Sequence, residues 1–89
     1  MKLKINYLVP YHRLPFWVKM IVIYLRDWMD TADNPAQALQ SINYYLDNKF
    51  TFIVRNTRRS GTMIKRVINN DVMTLLSSQD KPLCEISYE

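Results

Sequence analysis

Six cations fall between Lys49 and Arg66 with no acidic residue among them: Lys49, Arg55, Arg58, Arg59, Lys65 and Arg66. A cluster of this kind cannot be neutralised by its own neighbours in the chain. Phosphate is the partner whose chemistry suits it best, because arginine forks match phosphate oxygens in pairs and released counterions add to the affinity. These six residues are the candidate nucleic-acid contacts. The plain alternative is a charged loop in water whose arms pair with acids elsewhere in the chain.

A second group with chemical potential is aromatic. Trp17, Tyr24 and Trp28 have i, i+7, i+11 spacing, which on a helix places them within about 40° of one another. Exposed, such a face would be a hot spot for a protein partner; covered, it is simply core. The remaining candidates are weak. His12 stands between Tyr11 and Arg13 with no carboxylate or nucleophile at a telling distance, and reads as a surface histidine. Asp27, Asp30 and Asp33 are three apart but lack the calcium-loop pattern around them. Cys84 alternates with Ile86 and Tyr88 and reads as a small core residue. With one glycine in the chain, Gly61, neither a phosphate-cradling loop nor a nucleophile elbow can be built.

The elements that must carry these residues follow from periodicity. Lys2 to Val9 alternates apolar and polar, the pattern of a half-buried strand that Pro10 ends. Phe16 to Met29 predicts a helix opened by Pro15, apolar nearly all round, with Lys19, Arg26 and Asp30 forming a narrow wet stripe. Asn34-Pro35-Ala36-Gln37 reads as a helix start with Asn as the cap. The helix behind it has one apolar stripe, Ala38, Leu39, Ile42, Tyr45 and Leu46, and Asn48 is its expected stop. Phe50 to Arg55 and Thr62 to Ile68 predict the arms of a hairpin, with Arg58 and Arg59 at its tip and Gly61 supplying a positive φ. Asn69 to Asp71 is a turn. Val72 to Ser78 fits either a strand or a short helix, and Leu83 to Tyr88 is a closing strand.

The expected fold is therefore a single α+β domain over residues 1–89. Its antiparallel sheet has four to five strands in the order β-α-α-β-β-β-β, with two helices packed on one face. Hydrophobic residues make up 48% of the chain and charged residues 22%, values typical of a packed globular protein. The single cysteine rules out an internal disulfide and points to a reducing, cytoplasmic setting, and no stretch is long and apolar enough to span a bilayer. The net charge of +4 is segregated: residues 1–26 hold five bases and no acid, residues 27–48 four acids and no base. The two basic blocks make one positive side only if they fold next to each other.

From this the expected function is binding without catalysis and without a cofactor. The leading expectation is a small regulator that contacts nucleic acid, DNA ahead of RNA, through the basic hairpin, with Lys2, Lys4 and Arg13 contributing if the first strand lies beside it. The alternative is a protein-binding inhibitor or adaptor of mobile-element or phage type. It would dock an acidic protein surface, or a second copy of the chain, through the apolar aromatic face of Phe16 to Met29 or an edge strand such as Leu83 to Tyr88.

Overall fold

A computed structural model describes residues 1–48 and 64–89. The predicted strand Phe50 to Arg55 and the hairpin tip lie outside the described residues. Alternation at the N-terminus yields strand β1, Leu3–Tyr7. Pro10 then leads into a single 3-10 turn over Tyr11–Arg13, an element that periodicity did not announce. Helix α1 spans Phe16–Trp28, with Pro15 at the cap position rather than inside the first turn. Helix α2 spans Pro35–Asn48. The Gln37 backbone N–H donates to Asn34 Oδ1 at 3.2 Å, so the predicted cap forms. All five residues of its predicted stripe are buried.

Strands β2, Arg66–Asn69, and β3, Val72–Leu76, are joined by a two-residue turn. Asn70 and Asp71 take φ of 53° and 59°, the left-handed pair that the right-handed strand twist favours in a tight hairpin. Asn and Asp tolerate that region better than other residues with a side chain, which explains the sequence found there. Val72–Leu76 is thus a strand, settling the choice that periodicity left open. A second turn, closed by Ser77 and Lys81, leads to β4, Pro82–Tyr88.

The four strands are antiparallel in the order β1-β4-β3-β2. Their register sorts the side chains onto two faces. Leu3, Ile5 and Tyr7 lie opposite Tyr88, Ile86 and Cys84, and Met73 and Leu75 continue the same face. Both helices pack here: Val18, Ile21, Val22 and Leu25 of α1 join Leu39, Ile42 and Leu46 of α2 over Met73, Leu75, Cys84 and Ile86. The other face carries Lys4, Asn6, Thr74, Glu85 and Ser87, and none of these is buried. Two polar links lie across it, Lys4 Nζ to Glu89 Oε1 at 2.9 Å and Asn6 Nδ2 to Glu85 Oε1 at 2.8 Å. A one-sided sheet of this kind explains why its strands alternate instead of being uniformly apolar.

Candidate partner-binding surfaces

Sheet order decides what the basic residues can do together. Among the described strands β1 and β2 occupy opposite edges, three strand spacings or about 14 Å apart. Lys2 and Lys4 therefore do not lie beside the strand that carries Arg66. Among the described residues, Lys2 and Lys4 share no side of the sheet with Arg66.

Two of the six cations singled out between Lys49 and Arg66 are described, and both already have carboxylate partners. Lys65 Nζ lies 3.1 Å from Asp80 Oδ1 and donates to the Ser78 carbonyl at 3.0 Å. Arg66 occupies a core-face position opposite Leu75, at the edge of the sheet. Its guanidinium is largely buried and donates to Asp47 and Asn43 of α2 and, at 3.0 Å, to the Ile64 carbonyl. Arg66 thereby ties β2 to the second helix. Its charge was legible in the sequence, whereas the acid that meets it stands 19 residues earlier, one of the long-range pairings that spacing does not reveal. Lys49, Arg55, Arg58 and Arg59 lie outside the described residues.

The predicted aromatic face is divided among three surroundings. Trp17 is 4% exposed and belongs to the core. Tyr24 is half-buried and stacks on Tyr45 of α2, with ring centroids 3.9 Å apart and planes within 2° of parallel. Trp28, the last residue of α1, is 75% exposed. The shared helical azimuth thus meets different cover along the helix, and only its end is open.

The broader open surface of α1 is one that periodicity did not single out. Phe16 and Ile23 are 62% and 48% exposed. They are seven apart, within about 20° on the helix and opposite the buried Leu25. They share the solvent side with Lys19, Arg26 and Asp27. The signal was available: Phe16 and Ile23 sit at the azimuth of the charged stripe.

Beside this helix runs a chain of cationic and aromatic contacts. Arg26 Nη2 donates to the Tyr7 hydroxyl at 2.9 Å. Tyr7 meets Tyr11 edge to face at 5.5 Å, and Lys19 Nζ lies 5.1 Å from the centre of the Tyr11 ring. Arg13 and His12 are exposed in the same 3-10 turn. No described carboxylate comes within 4 Å of Arg26, Lys19 or Arg13. Arg26 and Lys19 are thus held by a hydroxyl and an aromatic ring, with no described carboxylate to neutralise them.

Leu83 to Tyr88, expected as an edge, is interior because β4 pairs with β1 on one side and β3 on the other; among the described residues it is β1 that presents an open backbone edge here. Lys2 and Glu89 exchange backbone hydrogen bonds at 2.6 and 2.9 Å, and Leu8 N–H reaches the Leu83 carbonyl at 3.0 Å. Even-numbered residues of this strand therefore face β4, and the backbone groups of Leu3, Ile5 and Tyr7 point away from the sheet. Leu3 N–H is taken by the Asp30 carbonyl at 2.8 Å. Beyond it, a half-open hollow of about 270 Å³ is lined by Lys2, Leu3, Ile5, Arg26, Asp30 and Thr31.

Among the described residues no helix is long and apolar enough to cross a membrane, and no group of three or more His, Cys, Asp or Glu is placed to hold a metal ion. No family model, curated protein or solved structure matches this chain.

Proposed function

We propose that the chain is a protein-binding module, an inhibitor or adaptor, that docks a partner with an acidic, partly apolar surface on the solvent side of α1. The observation that carries this reading is the pairing of exposed Phe16 and Ile23 with Lys19 and Arg26, cations that no described carboxylate neutralises. Apolar anchors supply affinity when a partner removes them from water, and a flanking field of one sign steers association and selects partners of the other. Trp28 lies further round the same helix and extends the area available.

Its test is an affinity capture from the host's lysate with the whole chain as bait, run beside three variants. A partner should be retained by the wild type and by Thr74→Ala, a change on the polar face of the sheet. Phe16→Ala/Ile23→Ala should lose it, and Lys19→Glu/Arg26→Glu should weaken it at least tenfold, with a loss that grows as salt is lowered. Equal retention by all four baits would end this reading.

A second reading is supported by the basic run itself, six cations with no intervening acid from Lys49 to Arg66. Here Arg58 and Arg59 contact nucleic-acid phosphates. Fluorescence-anisotropy titration against double-stranded DNA, single-stranded DNA and RNA at two salt concentrations tests it. The expected result is micromolar or tighter binding that weakens steeply with salt, with a slope that falls by about two in Arg58→Glu/Arg59→Glu. Unchanged binding in that variant would remove the hairpin from consideration.

A further inference from the structure

Strand β1 already accepts an extended neighbour along half of its free edge. Residues 30–32 run antiparallel to its start: Lys2 bridges Thr31, Leu3 N–H donates to the Asp30 carbonyl at 2.8 Å, and Ala32 N–H donates to the Met1 carbonyl at 2.9 Å. This strap ends where the chain runs back through Met29 into α1. The next rungs, Ile5 N–H and C=O and Tyr7 N–H, have no partner among the described residues. Proteins generally blunt such an edge with a bulge, a proline, an inward charge or a cover, and here the cover stops halfway.

The surroundings of the open rungs select by charge. Arg26 lines the hollow next to Ile5 and donates to the Tyr7 hydroxyl; Lys2 stands at the other end, and Lys19 lies further along the helix. Among the described residues Asp30 is the only acid in the lining. A second copy of the chain pairing β1 to β1 would bring two blocks together that hold five bases and no acid each, so like charges oppose that arrangement.

The geometry points to an extended acidic segment of a partner protein, added to β1 beyond the strap as a further strand with one of its carboxylates on Arg26. Main-chain hydrogen bonds to Ile5 and Tyr7 set its register, and the guanidinium reads its charge. This rests on the protein-binding reading above and names the part of the partner that enters at the edge, while Phe16 and Ile23 meet the partner's surface outside it.

A random 12-residue peptide library displayed on phage, panned against the whole chain, supplies the probe. Enriched peptides are expected to place Asp or Glu within an alternating apolar pattern. Bound at saturation, they should slow amide exchange of Ile5 and Tyr7 at least tenfold. Arg26→Gln, an exposed change, should weaken them at least tenfold, and methylation of alternate peptide amides should abolish binding with the protein left untouched. The inference is overturned if no peptide is enriched, if the enriched peptides carry no acid, or if Ile5 exchange is unaltered at saturation. Peptides that move only the resonances of Phe16 and Ile23 overturn the edge and leave the helix face standing. A free protein that sediments as a dimer with Ile5 N–H already protected assigns the edge to a second copy and overturns it as well.

Discussion

Raising the pH from 8 to 11 should remove on the order of 4 kcal/mol of folding stability, well before general alkaline damage to the chain. Two buried acids are responsible. Cys84 is fully buried among Leu75, Ile86 and Tyr7 on the core face, and burial pushes its thiol from 9.0 up to about 12. Tyr45 is nearly buried against Tyr24, and burial raises its hydroxyl from 10.0 to about 12. Below pH 9 both groups are protonated in the folded and unfolded chains alike, and the stability is fully present. Above pH 9 the unfolded chain releases the Cys84 proton while the folded chain keeps it, and above pH 10 Tyr45 follows. The unfolded state then binds fewer protons than the folded one, so stability falls with pH until the folded groups ionise near 12. At pH 11 this costs on the order of 3 kcal/mol for Cys84 and on the order of 1 kcal/mol for Tyr45. Tyr88, raised by burial, and Lys4, raised by Glu89, act in the same direction. A domain of this length has about 5 to 13 kcal/mol in all, so the loss is a large fraction. Urea unfolding followed by circular dichroism at unit pH intervals reads it directly. Cys84→Ala should flatten the segment between pH 9 and 10, and a wild-type curve already flat to pH 10.5 would refute the account. The same burial predicts that at pH 8 the thiol reacts with a disulfide reagent at least tenfold more slowly than in the unfolded chain.

Leu25→Ala should cost about 2–5 kcal/mol, a large fraction of the total, because Leu25 is fully buried in the core and its truncation removes apolar packing and leaves a cavity. Two residues earlier, on the opposite side of the same helix, Ile23→Ala should change stability by no more than about 0.5 kcal/mol, and Phe16→Ala likewise. The contrast separates the two faces of α1 by measurement. Thermal unfolding of the three variants should give one strongly lowered midpoint and two near the wild type, while partner capture should show the reverse dependence. A Phe16→Ala protein that unfolds as easily as Leu25→Ala would mean that this face is packed in solution and is not a docking surface.

Much of the architecture was legible in one dimension. Local preferences act through neighbours in the chain, so the Asn34 cap, the α2 stripe of Ala38, Leu39, Ile42, Tyr45 and Leu46, and the turn at Asn69 to Asp71 could be read from spacing alone. Cys84, Ile86 and Tyr88 share one face because strand side chains alternate, whatever the strand pairs with. Val72–Leu76 was ambiguous because a short apolar run has the same pattern in a strand and in a covered helix; its pairing with β2 and β4 decided it.

The candidate surface was less legible, for a physical reason of its own. Exposure is a property of what lies opposite a residue, and periodicity reports only the residue's own azimuth. Trp17, Tyr24 and Trp28 share an azimuth, yet one is core, one stacks on Tyr45 and one is open. Arg66 looked like a free cation until the fold brought Asp47 and Asn43 against it. By itself the sequence determined the elements, the charge blocks and the inward face of each element, because those depend on short-range geometry and composition. Only the tertiary structure decided, among the described residues, that β1 and β2 stand at opposite edges, that Phe16 and Ile23 face solvent beside cations no described carboxylate meets, and that half of the β1 edge is left open. Those outcomes depend on sheet order and long-range pairing, which join residues as far apart as Lys2 and Glu89.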